Sequence, residues 1–95
     1  MSKGYLVVTY RAAPDPDRMA VYAPLAKAAI EGAGGRFILR GAPVRVFENG
    51  LAERTIVAEF DSTDAAIAAY ESDAYQEAVA ALGDCDRDFR VVEGI

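Results

Sequence analysis

Arg40 and Glu59 are the residues of this 95-residue sequence whose types and setting best fit chemistry on a small molecule. Each breaks an apolar strand pattern. Arg40 follows Phe37-Ile38-Leu39, and Glu59 stands between Ala58 and Phe60. A charge in such a setting calls for a partner. Two readings fit the pair. In one, Arg40 faces an interior, binds a carboxylate or enolate, and Glu59 orients it or takes a proton. In the other, the two form a structural ion pair at a subunit interface. Tyr10 closes the first strand pattern, where a phenol can line a cavity mouth and touch a ligand. Arg36, with Arg11 and Arg54, falls near a strand end, where anion binding competes with plain surface charge. Tyr22, Tyr70 and Tyr75 fall on helical patterns and read as core, with the hydroxyl reaching the rim.

Composition removes whole classes of chemistry. The sequence has no histidine and no tryptophan. Ser-His-Asp and Cys-His catalysis are therefore excluded, and so is a structural zinc site, since only one cysteine is present. That cysteine, Cys85, lies between Asp84 and Asp86, whose charges disfavour the thiolate, and it reads as a loop residue. No metal and no cofactor are expected. The net charge of −5 and pI of about 4.6 argue against nucleic acid and anionic membranes, which bind through cationic surface. The apolar run after Met1-Ser2-Lys3-Gly4 is too short for a signal peptide or a membrane span, so a cytoplasmic protein is expected. A hydrophobic share of 53% is high for so small a chain and points to apolar surface buried against a second subunit.

The elements that would position these residues follow from periodicity. Residues 5–10 form an apolar strand of central type. Asp15-Pro16-Asp17 opens a helix, with Met19, Tyr22, Ala26, Ala29 and Ile30 on one face, and Pro24 inside it predicts a kink or a split. Gly32, Gly34 and Gly35 end that helix. These glycines follow a helix and precede a strand, the reverse of a phosphate-binding loop. Residues 36–40 form a strand, broken at Gly41-Ala42-Pro43 and resumed over 44–48, with a hairpin turn at Asn49-Gly50. Residues 55–60 form a second central strand, with Ile56, Ala58 and Phe60 on one face and Val57 and Glu59 on the other. Ser62 caps a helix over 63–71 with Ala66, Ile67 and Tyr70 inward. Ser72 caps another over 73–82 with Tyr75, Val79 and Leu82 inward, and residues 88–93 form a last, edge-type strand. The order is βαββαβ, an α+β ferredoxin-like pattern in one domain over residues 1–95. Right-handed crossovers make a four-stranded antiparallel sheet with strands one and three central, two and four at the edges, and both helical segments on one face. The other face, apolar along strand one, calls for a cover.

In this light the chain resembles the dimeric α/β-barrel superfamily, and within it the uncharacterised domain-of-unknown-function family thirteen-thirty. The resemblance spans nearly the whole chain and rests on order and spacing. Its carriers are Lys3-Gly4-Tyr5, Gly34-Gly35-Arg36-Phe37 with Arg40-Gly41, Glu53-Arg54, Glu59-Phe60 with Ser62, Ala68-Ala69-Tyr70 with Ser72, Tyr75-Gln76 and Val92-Glu93-Gly94. It implies a homodimer whose two sheets form a barrel. It implies no established activity. The superfamily includes cofactor-independent monooxygenases, lactone isomerases and haem enzymes, so a small-molecule enzyme working by proton transfer or oxidation and a non-catalytic module for a metabolite or a protein both stand open.

Overall fold

The computed structural model describes residues 2–95. Its elements run β1 Gly4–Tyr10, α1 Pro16–Gly32, β2 Arg36–Gly41, β3 Thr55–Phe60, α2 Thr63–Glu71, α3 Asp73–Leu82 and β4 Arg87–Glu93. The sheet order is β2-β3-β1-β4, every pairing antiparallel. This is the expected ferredoxin-like arrangement, with the two apolar strands central. Its Cα envelope of 35 × 31 × 16 Å is a slab: one helical layer on one sheet.

Local chemistry explains the ends of the helices. The Asp15 carboxylate accepts from the Asp17 and Arg18 amides, and Pro16 costs no hydrogen bond at the first helical position. Ser62 Oγ accepts from the Ala65 amide, and Ser72 Oγ accepts from Tyr75 while donating to the Ala69 carbonyl, so one side chain ends α2 and starts α3. Pro24 lies inside α1, yet α1 is one uninterrupted helix. The loss of one amide donor is outweighed by the two turns on either side, which retain theirs.

The core lies between the layers, where Leu6, Val8 and Tyr10 of β1 and Ala58 and Phe60 of β3 meet Tyr22, Ile30, Ala66, Ala69, Tyr75, Ala78 and Leu82. The fully buried residues of α2 are Ala66 and Ala69; of the expected inward residues Tyr70 packs against the core, on Tyr75 and Phe89, and Ile67 does not. Ile67 is exposed and Tyr70 half-buried. Two alanines let α2 sit close on β1, with Tyr70 packed at the side against Tyr75 and Phe89.

The expected hairpin arm does not form. Residues 42–54 are a loop with no strand. A tight turn forms one residue earlier than expected, centred on Glu48-Asn49 with the Gly50 amide donating to the Phe47 carbonyl and Glu48 at φ 52°, but no ladder extends from it. Pro43 lacks a donor, and Ala52-Glu53-Arg54 offers no apolar face to pair against Val44 and Val46. Val44 and Phe47 therefore project into solvent.

Candidate functional site

Strand register sorts the side chains of the sheet onto two faces. On the helix-covered face one row is Phe37, Ala58, Leu6, Val91, and the next is Arg40, Ile56, Val8, Phe89. A β-bulge between Phe37 and Leu39 adds one residue, Ile38, to β2. The extra residue puts Phe37 and Arg40, three apart, on the same face.

Register and bulge together undo the expected pairing of Arg40 with Glu59: Arg36 stands opposite Glu59, and Arg40, opposite Ile56, is turned to the other face. Arg40 lies on the helix side, its guanidinium 4.9 Å from the Phe37 ring centroid. Glu59 lies on the bare face, where it accepts from Arg36 Nη2 at 2.9 Å and from the Tyr5 hydroxyl at 2.9 Å. The hydrogen bond from Tyr5, with that from Arg36, holds the Glu59 carboxyl below its ordinary value, and the same bond to Glu59 raises the Tyr5 phenol. Such a carboxylate is ionised and doubly satisfied, which suits a structural ion pair and not a base waiting for a proton. Arg36, expected near a ligand, is this ion-pair partner.

Between α1 and the sheet lies a cavity of about 310 Å³. α1 packs along α3 and stands off the strands, whereas α2 sits on them. The residues beneath α1 explain the gap: Ala23 and Ala26 on the helix face Ala58 and Val8 on the sheet, too small to meet. Phe37 and Ile30 border the space, as do Tyr10, Tyr22, Tyr75 and Phe89. The exposed members of the lining are Ala23, Pro24, Lys27 and Arg40, which locates the mouth between α1 and the β2 edge. Arg40, Arg54 and Lys27 line it, and no Asp or Glu does. Tyr10 is in the wall, 2% exposed.

Next to the wall sits a cluster that the sequence does not reveal. Arg87, at the start of β4, donates to the Tyr22 hydroxyl at 2.9 Å and to that of Tyr75 at 3.3 Å, and the two hydroxyls bond each other at 2.6 Å. Its guanidinium lies 5.2–5.5 Å from the ring centroids of Tyr10, Tyr22 and Phe89. Burial pushes the Tyr10 phenol up to about 12 and the Tyr75 phenol higher still. Burial opposes the charge of Arg87, but Tyr75 and Tyr22 more than offset it, so the guanidinium stays charged. Arg87 had no signal, since it follows Cys85-Asp86 in a polar stretch and its partners are 12 and 65 residues away. Cys85 is a half-exposed loop residue.

The fold and the order of these residues meet a family match. Residues 3–95 fit the model described as Domain of unknown function (DUF1330). The chain belongs to the DUF1330 family. No curated protein resembles it at a significant level. Among solved structures, this DUF1330 chain is similar to a protein of unknown function from Rhodopseudomonas palustris, at 18% identity and TM-score 0.72, covering 99% of this chain and 83% of the other. It is similar to a dimeric ferredoxin-like protein of unknown function from Thermobifida fusca, at 17% identity and TM-score 0.63, covering 96% and 90%. A third similar structure, from Caulobacter crescentus, is described as a "putative antibiotic biosynthesis monooxygenase", at 13% identity and TM-score 0.63, covering 99% and 91%. At these identities the likeness establishes the fold of the DUF1330 chain, dimeric neighbours included, and leaves its chemistry to the site.

Proposed function

We propose that this DUF1330 protein is a homodimeric small-molecule-binding protein whose ligand occupies the cavity between α1 and the sheet. The observation that carries this reading is the cavity itself: about 310 Å³, walled by aromatic and aliphatic side chains, and open at one edge beside Arg40 and Arg54. That is the small end of the ~300–1,000 Å³ range of ligand sites, apolar with a few polar groups. Proton transfer by Glu59 draws no support from the geometry, because Glu59 faces away from the cavity and is paired.

The homodimer rests on the bare sheet face. Val7, Val57 and Thr9 lie at its centre. Pairs already satisfied flank them: Arg36 with Glu59 towards β2, and Arg90 with Asp88 along β4. An apolar centre with a polar rim is the anatomy of a protein interface. The Thermobifida fusca neighbour is described as dimeric, and a second copy would supply the matching surface.

Native mass spectrometry on protein purified gently from its own host tests both parts. The expected result is a dimer carrying excess mass of a small organic molecule, released on replacing Ala23 by Phe at the mouth. A monomer overturns the homodimer. Bound mass that survives Ala23→Phe overturns the cavity as its seat.

A second reading is cofactor-independent oxidation of an electron-rich aromatic ligand by dioxygen. The aromatic wall of Tyr10, Phe37, Tyr75 and Phe89 favours it, as does the monooxygenase name of the Caulobacter crescentus neighbour. Dioxygen uptake above the buffer control with a hydroquinone would separate it from binding alone.

A further inference from the structure

We infer that the ligand is an apolar carboxylate, its acid held at the mouth by Arg40 and Arg54 and its body laid inward against Phe37, Ile56 and Val8; this rests on the cavity being the ligand site. The chain carries 15 acidic and 10 basic side chains, so a random lining would hold more acids than bases. The lining holds Lys27, Arg40 and Arg54 and no acid. Lys27 is neutralised by Glu31 at 3.2 Å. Arg40 and Arg54 have no carboxylate within ion-pair distance among the described residues.

The other arginines of the strands have partners, whereas Arg11, Arg18 and Arg45, off the sheet, have no carboxylate within ion-pair distance among the described residues. Arg36 pairs with Glu59, Arg90 with Asp88, and Arg87 with two phenols. Arg40 on β2 does not, and neither does Arg54, which ends the loop before β3. Arg40 also has a cation–π contact, its guanidinium 4.9 Å from the Phe37 ring centroid, which takes up none of its N–H donors. A guanidinium edge presents two parallel donors, a geometry that matches a carboxylate and is wasted on a neutral hydroxyl. Behind the two arginines the wall is apolar, so the charge of the ligand stays at the mouth and its carbon skeleton goes inward. The volume limits that skeleton to about one ring and a short chain.

Calorimetric titration of the whole chain with three isosteres tests this: 4-propylbenzoate, 4-propylbenzyl alcohol and 4-propylbenzylamine. The benzoate is expected to bind at least about tenfold more tightly than the alcohol, and the amine more weakly than either. Arg40→Gln and Arg54→Gln should each weaken the benzoate roughly five- to tenfold and leave the alcohol unchanged. Both positions reach the surface, and circular dichroism checks that each variant is folded. Ala23→Phe should abolish binding of benzoate and alcohol alike. Equal affinity for benzoate and alcohol, or benzoate binding indifferent to both arginine variants, overturns the carboxylate assignment while leaving the cavity as a site. Binding of none of the three overturns the cavity reading and the ligand class together.

Discussion

Arg87 is a cation that finds no carboxylate among the described residues and is satisfied by two phenol oxygens and aromatic faces. It ties β4 to α1 through Tyr22 and to α3 through Tyr75, and so sets how α1 hangs over the cavity. Arg87→Met keeps the stem and removes both charge-assisted hydrogen bonds. It is expected to lower unfolding stability by about 1.5–3 kcal/mol in a urea titration. Arg87→Lys should recover only part of that, since an ammonium lacks the fork that serves two oxygens. The neighbouring phenols give an alkaline signature. Tyr10 ionises at about 12 in the folded protein, above the ordinary phenol value near 10. Its folded value is raised, so its contribution to stability is complete below the unfolded value and is lost as pH rises from there through about 12. A spectrophotometric titration should show Tyr10 and Tyr75 ionising above the ordinary phenol range. Tyr10→Phe should remove the step near the upper end of the accessible range.

Close approach of elements explains why glycine stands where it does. Gly35, between α1 and β2, lies against Phe60 and Ile30: a Cβ there would come within 2.6 Å of the Phe60 ring and 2.7 Å of an Ile30 methyl. Phe60 is among the most buried side chains and has no room to move. Gly35→Ala is expected to cost about 1–3 kcal/mol by overpacking, read as a shift in the urea midpoint with an unchanged slope. Gly4 is in the same position at the start of β1, where a Cβ would collide with the Ser62 carbonyl at the cap of α2. These contacts join separate carriers of the resemblance seen in the sequence, Gly4 with Ser62 and Gly35 with Phe60. The helix-layer elements were legible for the usual reason, apolar side chains at helical spacing introduced by Asp15, Ser62 and Ser72. The β2 arm was not. Its alternation and Asn49-Gly50 turn are genuine local signals, but a ladder needs a partner strand, and residues 51–54 do not supply one.

At the scale of the whole molecule the question is what lies on the bare side of the sheet. The slab has one helical layer, and Val7 and Val57, on the sheet face opposite the helices, stay part-exposed. Val57→Asp at that face is expected to give a folded monomer, measured by light scattering after size exclusion. A dimer that persists in this variant would place the interface elsewhere. Glu59 adds a pH dependence to the same face. Its folded-state value is depressed by Tyr5 and Arg36, so it contributes stability that is complete above the unfolded carboxyl value of about 4.3 and is lost as pH falls through the lower folded value. Glu59→Gln should flatten this part of the acid-unfolding profile and leave the neutral-pH fold intact.

The sequence by itself determined the element order, the central and edge strands, the caps, and the need for a covered second face. Each depends on chemistry within a few residues or on a period of 2 or 3.6. Only the tertiary structure decided which chemical groups meet. Register set Arg36 and Tyr5 opposite Glu59, and one bulged residue, Ile38, sent Arg40 to the helix side, because adding one residue to a strand reverses the face of everything after it. The cavity was equally out of reach. It exists because small residues from two distant segments, Ala23 and Ala26 in α1 and Ala58 in β3, face each other where neither fills the space, and no local pattern records a gap between them.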